Sequence, residues 1–208
     1  MAMGGKKMTD WEEKLPPIVR ERLAKAGDLT SEEKERMKDS ERLDSLLSEF
    51  YTEALTSEGL WTALKEYRDR GKGQLLKEVQ LKLIDSLRFS SESAEIQKRK
   101  EGILAIETLK EHQNTPVLEA GLNSIEQLQR RYGEEVQRAY DELRAQVERD
   151  PRLRMEQVKQ GQNTAMVQLS VDEAVKRNPQ WREFLSQHEE RCRQEFARII
   201  EGLKMGAK

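Results

Sequence analysis

The chain is poor in reactive side chains. Its 208 residues include one cysteine and two histidines, and aromatics make up only 5%. Each scarcity excludes something. The lone Cys192 cannot form an intramolecular disulfide, which fits a reducing compartment, and we expect a cytoplasmic protein. Two histidines cannot supply a bundle di-metal centre built on Glu-x-x-His pairs, because Leu109 and Leu185 stand three positions before His112 and His188. No stretch approaches the roughly 20 apolar residues of a membrane span, so no membrane is expected as a partner. No Gly-x-Ser-x-Gly elbow occurs, and Arg68-Asp69-Arg70-Gly71-Lys72-Gly73-Gln74 lacks the spacing and the Gly-Lys-Ser/Thr ending of a phosphate loop.

No charge of one sign accumulates either. The 39 acidic and 37 basic residues leave a net charge of −2, and neither end is a basic arm or an acidic tail. That removes the electrostatic footprint of a nucleic-acid binder, apart from a local basic stripe across residues 65–100 that includes Lys98-Arg99-Lys100.

What remains is amphipathic helix. Charged residues make up 37% of the chain, and the apolar ones recur at steps of three and four. Residues 1–9 read as a flexible tail. Pro16-Pro17 opens a short helix that Gly27 closes. Trp11, just before it, has two readings: an anchor that folds back, or a contact to another subunit. Thr30 and Glu33 have capping-box spacing, and a helix is expected from about 31 to 55. Ser57 caps the next helix, which carries Leu60, Trp61, Leu64 and Tyr67. Gly71-Lys72-Gly73 breaks the chain. Helices follow over 75–89 and from about 91 to 113.

Thr115-Pro116 is a new start, with Thr as cap and Pro at the first helical position. From Leu118 to Val147 the stripe Leu122, Ile125, Leu128, Tyr132, Val136, Ala139 and Leu143 advances by about 3.6 residues per step, the period of a straight helix. Gly133 within it costs about 1 kcal/mol against alanine and is expected to mark a close helix crossing. Asp150-Pro151 is a break. Between Arg152 and Leu169, Gly161-Gln162-Asn163 reads as a loop or a poor helical turn, and nowhere in the chain is apolar–polar alternation sustained, so no strand is expected. Ser170 and Glu173 repeat the capping box. Asn178-Pro179 opens the last helix.

The expected fold is all-α, a bundle of six to eight helices in which a long helix over about 116–150 packs antiparallel to a C-terminal helix over about 179–203. Residues 10–113 form an N-terminal cluster and 114–208 the long-helix bundle, with room for the two to share one core. No catalytic constellation or cofactor site is expected. His188 and Cys192, four apart on one helical face, are a ligand-like pair, but the spacing supplies no further ligands. Both sit within the stripe that also holds Trp181, Phe184, Phe196 and Ile199, and packing accounts for them. Cys192 then reads as inert.

The function expected is a non-enzymatic interaction or assembly module, self-associating or binding another helical protein. The candidate interface is Trp181, Phe184, His188, Phe196 and Ile199. The sequence alone leaves open whether that face is core or interface. A binder of an apolar small molecule or metal between helices is the alternative. A nucleic-acid-associated regulator is a third reading.

Overall fold

The computed structural model describes residues 30–160 and 163–207. The expected tail over 1–9, the Pro16-Pro17 helix and Trp11 lie outside them. By contacts the chain divides between Ala54 and Leu55 into two compact units.

The first unit contributes α1, Ser31–Tyr51. Its start is the predicted capping box. Glu33 N donates to Thr30 Oγ1 at 3.2 Å, and Thr30 N donates to Glu33 Oε2 at 2.7 Å. Thr30 N, and Thr30 Oγ1 at 3.0 Å, both donate to the Glu33 carboxylate and hold it below its usual range. Leu43, Leu47 and Phe50 are the buried stripe. The helix stops short of the expected residue 55 because Glu53 takes a left-handed conformation at φ 64°, which cannot continue a right-handed helix.

The second unit holds six helices among its described residues: α2, Ser57–Asp69; α3, Gly73–Ser86; α4, Ser93–Glu107; α5, Thr115–Arg149; α6, Val171–Arg177; and α7, Pro179–Gly206. The fold is therefore all-α with little strand. No described helix is long and apolar enough to cross a membrane.

Several caps differ from expectation by one residue. Thr56, not Ser57, caps α2 by accepting from Gly59 N at 3.1 Å. Asn114, not Thr115, precedes α5, and its side chain makes no capping bond. Ser170 forms the expected box with Glu173, and Asn178 accepts from Gln180 N at 2.8 Å. Gly71, at φ +75°, makes the α2–α3 turn in the left-handed region that suits glycine.

The core is aliphatic. α2, α3, α4, α5 and α7 pack on one another, burying Leu60, Leu64, Leu76, Leu83, Ile103, Ile106, Leu118, Leu122 and Leu203, among others. Helices on both sides of residue 113 meet, α4 on α5 and α3 on α7. A second cluster gathers Leu143, Val147, Ala174, Val175 and Trp181. Between Leu128 and Leu143, α5 buries no residue fully.

Two expectations are corrected. First, Gly133 marks no crossing: nothing lies within 4 Å of where its Cβ would stand. The close approach is at Gly121, where a Cβ would come within 2.6 Å of Leu203 Cδ2. The stripe faces the partner helix and Gly133 lies off it, so its missing side chain opens no room for α7.

Second, residues 152–169 are not devoid of strand. After a 3-10 turn over Pro151–Arg154, β1 (Met155–Gln160) pairs antiparallel with β2 (Asn163–Gln168). Met155 lies opposite Gln168, and Gln157 opposite Met166. Apolar–polar alternation announces a strand with one buried face. This hairpin has exposed side chains on both faces, so its sequence has no reason to alternate.

Candidate functional site

Trp181 and His188 of the predicted interface face α5 across its long seam with α7. Contacts run in opposite sequence order along the two helices. Leu118 and Val117 lie near Gly206, Gly121 approaches Leu203, Arg131 Nη2 bonds Glu195 Oε2 at 2.6 Å, and Tyr140 meets Trp181 edge-on at 5.5 Å. Trp181 is buried and stacks on Phe184 at 5.8 Å. Phe184 stacks on His188 at 5.3 Å, and His188 on Tyr132 at 5.1 Å. Phe196 meets Phe89 at 6.0 Å. Phe184, Phe196 and Ile199 are half-buried. Each aromatic pair adds about 0.5–1.5 kcal/mol beyond the area it buries, so much of this face is committed within the chain.

His188 and Cys192 come together in a cleft of about 270 Å³ bordered by Arg131, Glu135, Arg191 and Glu195. Arg191 Nη2 lies 3.3 Å from His188 Nδ1. A guanidinium only donates, so in this contact Nδ1 can serve only as the acceptor. Nε2 is 3.3 Å from Glu135 Oε2, yet it is buried without a hydrogen bond, so the carboxylate is near but badly directed. Burial pushes the Cys192 thiol above its ordinary value, with Arg131 opposing. Among the described residues no three His, Cys, Asp or Glu side chains are grouped to hold a metal ion. The cleft's two arginines face two glutamates, so it selects for neither charge.

A larger cavity, about 560 Å³, opens where the α2–α3 turn, the α4–α5 connection and the end of α7 meet, lined in part by Arg68, Lys77, Lys110 and His112. Lys110 is not available to a ligand. Its Nζ bonds Glu107 Oε2 at 2.9 Å and Ala207 O at 2.7 Å. Glu107, wholly buried, also accepts from Gln80 Nε2 at 2.8 Å and from Asn114 N. Burial pushes its carboxyl up, but the Asn114 amide, Gln80 and Lys110 outweigh this and hold it below the usual range. Arg68 pairs with Asp69 at 2.7 Å. The basic run at 98–100 is similarly occupied: Arg99 bonds Glu95 and Ser86, and Lys100 bonds Asn123 and Glu126.

The hairpin is different. Leu153, Met155, Val158, Met166 and Val167 are exposed, Met166 by 59%. Arg154 Nε donates to Leu169 O at 3.0 Å, Leu169 N donates to Arg154 O at 2.7 Å, and Glu156 pairs with Arg177 of α6. These bonds hold the hairpin's base and leave its sides to solvent. Its signal in the sequence was indirect: Asp150-Pro151 and the Ser170 box bracket a stretch that has no cap of its own, and only Gly161-Gln162 separates two six-residue runs.

No curated protein and no solved structure matches the chain. Residues 61–208 do match a family, from the second turn of α2 through the whole of α7, and the chain belongs to that family, the family of unknown function DUF6657.

Proposed function

We propose that this protein is a non-enzymatic interaction and assembly module that self-associates, working in the cytoplasm. The observation that carries this reading is the hairpin, which presents Met155, Val158, Met166 and Val167 to solvent on a two-stranded sheet, with Leu153 exposed in the turn before it. An isolated two-stranded ribbon is marginal in water, and further strands or a packed face stabilise it. Exposed apolar side chains gathered on one small element mark contact surfaces. The other polar clusters carry matched charges and act as internal braces, which supports a scaffold rather than a reaction centre.

Native mass spectrometry of the full chain tests this. The expected result is a species at twice the 24.2 kDa chain mass. A bare monomer across the micromolar range overturns self-association. A monomer that retains a metal or small molecule turns the reading toward a ligand held between helices, for which the unpaired His188 Nε2 in its cleft is the supporting observation.

A further inference from the structure

The hairpin's two outer edges differ in chemistry. β1 carries Glu156 and Lys159, while β2 reads Asn-Thr-Ala-Met-Val-Gln, without a charge in a chain that is 37% charged. Charges on an edge strand, lysine above all, discourage further pairing. β2 has none, and no proline or glycine to interrupt it. Among the described elements β2 pairs with β1 alone, and Met166, Val167 and Gln168 are exposed.

We propose that β2 pairs along its outer edge with β2 of a second copy of this chain, antiparallel, about a two-fold axis through Met166. Two hairpins then form one four-stranded sheet. The proposal rests on the self-association reading above and names its surface.

The residue pattern selects both the occupant and the register. A two-fold axis at Met166 sets Met166 against the second copy's Met166, Ala165 against its Val167, and Thr164 against its Gln168. Apolar residues meet apolar ones and polar residues meet polar ones. Shifting the axis to Ala165 sets Met166 against Thr164, and shifting it to Val167 sets Met166 against Gln168. Each shift mismatches the two pairs that flank the centre. Contact between identical patches is what a two-fold interface requires.

Charge agrees with this arrangement. Only neutral residues meet across the axis, while Glu156 and Lys159 stay on the outer strands, and Glu156 is held by Arg177. The β1–β2 register then extends both faces. Met155 and Met166 of each hairpin line one side, and Val158, Ala165 and Val167 the other. The exposed residues of one marginal ribbon become rows of a four-stranded sheet, the size at which sheets hold themselves.

The test uses the full chain with Met166→Lys and Met166→Glu, by light scattering after size exclusion. Met166 is mostly solvent-exposed, so far-UV circular dichroism should match the parent. Like charges at the axis should raise the dissociation constant on the order of tenfold or more, giving each variant the 24.2 kDa mass. An equimolar mixture should recover the doubled mass, because Lys then faces Glu. If the parent is dimeric and either variant stays dimeric with parental affinity, or the mixture fails to re-form, β2 pairing is refuted while self-association stands. A parent that is monomeric throughout refutes both.

Discussion

Replacing Glu107 by Leu should be among the most damaging single changes available in this chain. The carboxylate is wholly buried and receives three donors: Lys110 Nζ, Gln80 Nε2 and Asn114 N. Its loss strands an ammonium whose side chain is only 8% exposed, leaving it Ala207 O as its one remaining partner among the described residues. Breaking a buried ion pair in this way costs about 3–5 kcal/mol, against a total stability on the order of 5–15 kcal/mol. The cost includes more than the pair, because the Asn114 amide links the α4–α5 connection and Lys110 links the end of α7. Lys110→Met alone should cost less, since Glu107 keeps two donors. The double variant Glu107→Leu/Lys110→Met should recover about 1–3 kcal/mol of the summed loss, the usual range for coupled neighbours.

Urea unfolding followed by circular dichroism, at constant m-value, gives the cycle. A loss under about 1 kcal/mol for Glu107→Leu, or strict additivity in the double variant, would refute the reasoning. The pH dependence has a fixed sign. Glu107 has a lowered pKa in the folded protein, so its contribution is fully present above the unfolded glutamate value of about 4.3. It is lost as pH falls through the folded value. The stability gap between parent and Glu107→Gln should therefore narrow only below about pH 4.3.

Phe184→Asp and Phe196→Asp test how far the α7 face is committed internally. Each places a charge beside stacked aromatics and should cost about 3 kcal/mol or more in urea, whereas a soluble, fully helical protein of parental stability would show that the face is an interface. Gly133→Ala should raise stability by about 1 kcal/mol, since open space surrounds its Cβ position. Gly121→Val should lower stability by about 1–3 kcal/mol through overpacking against Leu203. Cys192, buried with a raised thiol pKa, should react with a thiol reagent slowly in the native protein and at the free-thiol rate in urea. Fast native labelling would contradict its burial.

The helices were legible because their signals are local. Thr30 with Glu33 and Ser170 with Glu173 state their starts within four residues, and the apolar step from Leu118 to Val147 states both the length of α5 and the face it buries. The hairpin was not legible, because the described side chains of β1 and β2 are exposed or half-buried on both faces and impose no alternation. The Glu107 brace was not legible either, since Gln80, Glu107, Lys110 and Ala207 are brought together only by tertiary packing. In sequence, Glu107 looks like any carboxylate on a solvated helix. His188 and Cys192 were placed correctly on one face, but their neighbours Tyr132 and Glu135 come from another helix and follow no local spacing.

The gap in α5 burial between Leu128 and Leu143 has a consequence for how the molecule opens. The helix is covalently continuous, yet it serves two separate cores, the aliphatic bundle at its start and the Leu143–Val147–Trp181 cluster near its end. Cooperative opening follows packing rather than helix boundaries. Amide exchange along this single helix should therefore fall into two classes, with the step near Tyr132 to Glu135. Residues beyond the step, together with the hairpin and α6, should open as one unit while the bundle stays closed. The strand edge proposed to recruit a second copy should then exchange sooner than the bundle, and pairing with a partner should slow its exchange first.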